Sequence, residues 1–186
     1  MAKCRRPALA AAAGGLAIVA LGGASEPRDV GGWTLATSED GRGCFLSRQY
    51  PRAGETTLLL GLEADGSNHL SILNANWSIR AKERVRLDFR MTTATWRRHF
   101  AIGLAADGKR GFVTSFEPRF LTAFAGSERL AVDRGDTPVE RLPLDGSAAA
   151  VRELRTCVGT LKTPPRGTRE NGIPKDPFAA GGAGRR

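Results

Sequence analysis

The sequence predicts a mainly β domain, a single antiparallel sandwich or barrel carrying one or two short helices, with the C-terminal helix packed on the sheet. Three observations carry that expectation. Apolar and charged residues alternate strictly through Arg84-Val85-Arg86-Leu87-Asp88-Phe89-Arg90-Met91. Successive side chains of a strand point to opposite faces, so this segment has one dry side and one wet side. Turn residues recur at short intervals, at Asp40-Gly41, Asp65-Gly66, Asp107-Gly108 and Arg134-Gly135-Asp136, which is the punctuation of many short strands. Helical spacing, by contrast, is confined to two short stretches late in the domain.

Taken in chain order, strands are expected at residues 33–37, 44–49, 57–62 and 69–73, then at 84–91 and 95–104, and finally at 112–116, 129–133 and 139–144. Short strands at such spacing build sandwiches or barrels. In the strand after 84–91, Trp96, Phe100, Ile102 and Leu104 are expected on one side, with Thr95, Arg97, His99 and Ala101 on the other. The register of this hairpin stays open. A two-residue turn at Thr92-Thr93 sets Phe89 opposite Trp96 and Asp88 opposite Arg97, both favourable pairs, but threonine suits the positive φ of tight primed turns badly. A four-residue loop avoids that conflict and sets Arg90 opposite Arg97. In either register Arg98 falls on the apolar row, where it needs an acidic partner or marks a strand end.

Two helices are expected. Pro118 suits the first turn of a short helix running to Ala125 and ended by Gly126. Asp145-Gly146-Ser147 offers capping side chains to a second, in which Val151, Leu154 and Val158 recur at helical spacing. Its residues Arg152, Glu153 and Arg155 would face water.

The ends of the chain have a different composition. Lys3, Arg5 and Arg6 precede an apolar run over residues 8–21, and small residues follow at Gly22-Gly23-Ala24-Ser25. This is the pattern of a secretory signal, residues 1–25, cut after Ala24 or Ser25. The run is shorter than the roughly 20 residues that span a bilayer. No later stretch is apolar enough to cross one, so the mature chain is not expected to be membrane-spanning. Residues 162–186 carry Pro164, Pro165, Pro174 and Pro177 among many glycines, with Phe178 as the sole aromatic residue. Such a segment buries too little apolar surface to offset its ordering entropy, so a disordered basic tail is expected. Residues 26–161 between them form one domain of single-core size. Export places it in the periplasm or outside the cell.

Export also frames the cysteines. Of three, Cys4 leaves with the signal, and Cys44 and Cys157 remain. They can form one bridge joining the domain's beginning to its end, worth about 4–5 kcal/mol in the chain-entropy model, or stay as two buried thiols.

The formal charge of +9 is concentrated at the ends. Three positive charges lie in the signal and a net four in the tail, leaving +2 on residues 26–161. A dedicated nucleic-acid binder carries its charge on the fold, so no specific nucleic-acid partner is expected. Within the domain, residues 80–98 hold a net +5 and the remainder −3. Arg84, Arg86, Arg90 and Arg97 are the candidate residues for binding an anionic partner across a wet strand face. The competing reading is a solvated face whose charges discourage edge pairing. Trp77, just upstream, either anchors such a face or belongs to the core.

No catalytic constellation accompanies these features. There is no GxSxG elbow, no HExxH and no CxxC. His69 and His99 stand in no metal-ligand spacing with a cysteine, and His99 is expected on the wet face. Asp40, Glu55, Asp65, Asp107 and Asp136 sit mostly in turns, which explains them. No cofactor, metal or catalytic residue is assigned.

Gly32-Trp33 opens the domain, Cys44 follows eleven residues after the tryptophan, and Leu142-Pro143-Leu144-Asp145-Gly146-Ser147-Ala148-Ala149-Ala150 runs into a helix. In these residues, at the two ends of the domain, the chain resembles the small exported proteins of the invasion-associated locus B type. The resemblance implies an exported, single-domain, β-rich protein of a kind linked in some bacteria to host-cell entry. It implies no reaction. The function expected is therefore a non-enzymatic envelope or secreted domain, binding an anionic envelope or host component or another protein. The alternative is a small periplasmic hydrolase with dispersed carboxylates.

Overall fold

In the computed structural model, which describes residues 26–161, the alternating segments pair into one antiparallel sheet of ten strands. The expected signal and the expected tail lie outside the described residues. The strands are β1 (Arg28–Asp29), β2 (Thr34–Thr37), β3 (Gly43–Tyr50), β4 (Thr56–Glu63), β5 (Asn68–Asn74), β6 (Arg84–Arg90), β7 (Thr95–Ala106), β8 (Lys109–Thr114), β9 (Arg129–Arg134) and β10 (Thr137–Pro143). Helix α1 (Arg119–Ala125) lies between β8 and β9, and α2 (Ser147–Thr160) follows β10. Spatial order is β1-β2-β3-β4-β5-β8-β7-β6-β9-β10. The two-residue β1 is too short to leave a signal in the sequence.

The sheet does not close into a barrel. Instead it coils until β3 and β4 approach β10, where side-chain hydrogen bonds join them. The Tyr50 hydroxyl donates to the Pro143 carbonyl, and Arg52 and the Thr56 hydroxyl both donate to Glu140. Burial pushes the Tyr50 phenol up to about 12. Between the facing halves sit the inward rows of the strands, among them Leu46, Leu60, Leu70, Phe89, Val132 and Leu142, all fully buried. The architecture is a sandwich-like, single-sheet β domain, as the alternation predicts.

Aromatic residues run through this core as a connected series. Trp33 meets Phe124 edge-on at 5.6 Å, Phe124 touches Phe120, and Phe120 stacks on Phe116 at 3.9 Å. Phe116 meets Phe89, Phe89 meets Phe112, and Phe112 stacks on Trp77 at 6.1 Å. Each such pair adds about 0.5–1.5 kcal/mol beyond the area it buries.

Helix α2 packs Ala150, Val151 and Leu154 against the sheet, chiefly at β3. A Cys44–Cys157 disulfide ties its last turns to β3. The expected side-chain cap is absent. Gly146 occupies the cap position with φ +77°, and the buried Ser147 hydroxyl bonds the Phe124 carbonyl of α1 instead. The segments that carry the resemblance meet at this corner. Trp33 Nε1 and Arg48 Nη1 both donate to the Asp145 carbonyl, at 2.9 and 2.7 Å, and the Gly31 backbone lies directly against Gly146.

The β6–β7 hairpin departs from the expected alternation. Phe89 lies opposite Trp96, as the two-residue turn requires, and Arg90 lies opposite Thr95. The Met91 N–H bonds the Ala94 carbonyl, and neither Thr92 nor Thr93 takes a positive φ, so the expected conflict does not arise. Beyond Trp96, however, Leu87 pairs with His99. Arg97 and Arg98 together oppose Asp88, forming a β-bulge. Arg98 adopts φ +48° and its N–H is held by the Asp88 carboxylate. The extra residue inverts every later side chain. His99 and Ala101 turn inward, His99 stacking on Phe116 at 4.3 Å, while Phe100 and Ile102 turn outward. The expected sidedness of residues 99–102 is thus corrected by the bulge.

Candidate anionic-ligand face and apolar cleft

On the outer face of the hairpin, Arg86 lies opposite Phe100 and Arg84 opposite Ile102. Phe100 and Ile102 are 42% and 40% exposed, the exposed large hydrophobics among the described residues. The Arg84 guanidinium sits 5.7 Å from the Phe100 ring centroid, and Arg86 Nη1 donates to the Arg98 carbonyl at 3.1 Å. Arg97 and Arg98 are exposed beside them. Among the described residues, Arg84, Arg86 and Arg97 pair with no carboxylate.

The remaining candidate, Arg90, is engaged differently. Its guanidinium binds Asp133 of β9 at 2.7 Å, and Arg141 of β10 binds the other oxygen of the same buried carboxylate. Removing Arg90 would strip one partner from a buried charge, which is costly. The fold therefore groups Arg84, Arg86 and Arg97 on one free face and assigns Arg90, itself exposed, to an ion network around the buried Asp133. Phe100 and Ile102 escaped the sequence reading because the bulge is what exposes them. The misfit of Arg98 on an apolar row was its only trace.

A second feature opens between the β5–β6 loop, the inner face of β6 and the β9–β10 turn. It is an apolar cleft of about 360 Å³, lined by Trp77, Ile79, Val85, Leu87 and Val139, with Arg134 at its polar side. Trp77 is half-buried here with one face on Phe112, so it is both core and wall. Gly135, next to Arg134, borders a second recess shared with Arg86, Asp88, Arg97 and Arg98.

Several carboxylates have structural roles. Asp133 and Glu140 are buried, each bound by arginine, and neither lines the cleft. Asp40 serves its turn, where the Arg42 backbone N–H, the Ser38 hydroxyl and the Arg42 guanidinium hold it down to about 2. Asp65 likewise binds Ser67, whose hydroxyl and N–H lower its pKa. The histidines flank Ser115: His69 Nδ1 contacts its hydroxyl at 2.8 Å and His99 Nε2 its carbonyl at 2.9 Å. Among the described residues, no group of three His, Cys, Asp or Glu could hold a metal, and no helix is long and apolar enough to cross a membrane.

No protein-family model matches the chain, and no curated protein matches its sequence. Among solved structures, the chain is similar to invasion associated protein B from Bartonella henselae, with a TM-score of 0.54 and 15% identity. The match covers 71% of this chain and 97% of that one. At that identity the likeness concerns the fold, which is the level at which the resemblance at the domain's ends is met.

Proposed function

We propose that the protein is an exported, non-enzymatic envelope or secreted domain that binds an anionic envelope or host component through the outer face of β6 and β7. The observation that carries this reading is the grouping of Arg84, Arg86 and Arg97, unpaired among the described residues, around exposed Phe100 and Ile102. Positive charge attracts an anionic surface over about 8 Å at physiological ionic strength, and exposed apolar side chains add contact that salt does not screen. A domain fold shared with an invasion-associated protein fits such a role.

The test is retention on phosphatidylglycerol vesicles across a salt series. At about 1 kcal/mol per arginine near an anionic surface, the variant carrying Arg84→Ser, Arg86→Ser and Arg97→Ser should bind roughly 100-fold more weakly at low salt. Its remaining binding should depend less on salt. Equal retention of variant and wild type at every salt concentration would reduce this face to solvated strand surface.

A further inference from the structure

The cleft beside Trp77 is separate from the arginine face and has the make-up of a small-molecule site. Its volume of about 360 Å³ lies at the lower end of ligand pockets, which run from about 300 to 1,000 Å³ and are mostly apolar with few placed polar groups. One short acyl chain fills a space of that size; a multi-chain lipid does not. The walls come from rigid elements: Val85 and Leu87 project from β6, and Trp77 is braced on Phe112.

Charge at the mouth decides the rest. Arg134 pairs with no carboxylate among the described residues. Glu83 feels its field, but that carboxylate is held chiefly by the Arg80 backbone N–H, which lowers its pKa. Beyond Gly135 lie Arg86, Arg97 and Arg98 with Asp88 among them, three positive charges to one negative, so the approach on that side is net basic. We infer that the cleft binds a single-chain anionic amphiphile, its chain against Trp77, Ile79 and Val139 and its carboxylate or phosphate on Arg134.

Three probes separate the parts of this claim: octyl phosphate, octanol and inorganic phosphate, titrated calorimetrically into the protein with tryptophan emission followed in parallel. Octyl phosphate should bind at one site per chain and shift the emission. Trp77→Phe should abolish that shift, since Trp33 and Trp96 are buried away from the cleft. Arg134→Gln should weaken octyl phosphate about tenfold, the scale of a charge-assisted hydrogen bond, and leave octanol unchanged. Val139→Phe, which fills the cleft, should weaken both. Inorganic phosphate alone should bind far more weakly.

Absence of saturable octyl phosphate binding would overturn the inference. So would equal affinity in wild type, Arg134→Gln and Val139→Phe. Vesicle retention keeps the two sites distinct: Arg134→Gln and Val139→Phe should keep most of it, whereas the triple arginine-to-serine variant should lose it and still bind octyl phosphate.

Discussion

Removing the Cys44–Cys157 bridge, by reduction or by alanine at both positions, is expected to lower the melting temperature by roughly 10–20 °C. The bridge joins residues 113 positions apart, for which the chain-entropy model gives about 4–5 kcal/mol. A domain of this size loses about 4 °C per kcal/mol. The first half of α2 has other anchors, namely Ala150, Val151 and Leu154 in the core and the Arg28–Glu153 ion pair. Its last turns rest on half-buried Val158 and Leu161 and on the bridge itself. Hydrogen exchange after reduction should therefore quicken first from residue 157 onward. Calorimetry of the oxidised, reduced and double-alanine proteins measures the first effect; a shift below about 3 °C would mean that packing alone holds the helix.

The second large effect belongs to Gly146. Alanine there meets two obstacles: φ is +77°, and its Cβ would lie 2.3 Å from the Gly31 carbonyl oxygen. Left-handed backbone costs an L-residue about 1–2 kcal/mol, and forced overpacking adds about 1–3 kcal/mol. Gly146→Ala should thus destabilise by about 2–5 kcal/mol. Movement of the β1–β2 turn at Gly31 would also disturb the Trp33 bond to Asp145. Gly135 supplies the control, with φ +59° and nothing within 4 Å of a built Cβ, so Gly135→Ala should show the backbone cost alone. Urea midpoints for the two variants report the difference. Equal losses would show that the Gly31–Gly146 approach is loosely held.

What could be read from the sequence divides by the range of the interactions involved. The alternation over residues 84–91 is local, and β6 follows it. Asp107-Gly108 forms the expected tight turn with both φ angles positive, because that conformation is a property of the two residues themselves. The cysteine pairing needed only a count. Strand order was not legible, since placing β8 beside β5 and β6 beside β9 depends on pairings between distant segments. The bulge at Arg97-Arg98 defeated the alternation rule for a physical reason: one extra residue costs little locally, yet it reverses the faces of all that follow. The arginines of the candidate face were legible as a charge cluster, whereas their separation from Arg90 required Asp133 to arrive from β9. The cleft left no sequence signal, because residues 76–87 meet Phe112 and residues 134–139 there only through the fold.

The disulfide also has a mechanical meaning. A chain stretched from residues 26 and 161 transmits the load through residues 26–43, across the Cys44–Cys157 bond, and out through residues 158–161. The strands from β4 to β10 and helix α1 lie inside the covalent loop and bear no load while the bond is intact. Breaking it admits 113 further positions to extension, roughly 370–410 Å at about 3.3–3.6 Å each. In a single-molecule trap, oxidised molecules should stop short and reduced ones should lengthen by that increment. The bond therefore sets how far the domain can be drawn out, and the sheet sets only how it behaves once the bond is gone.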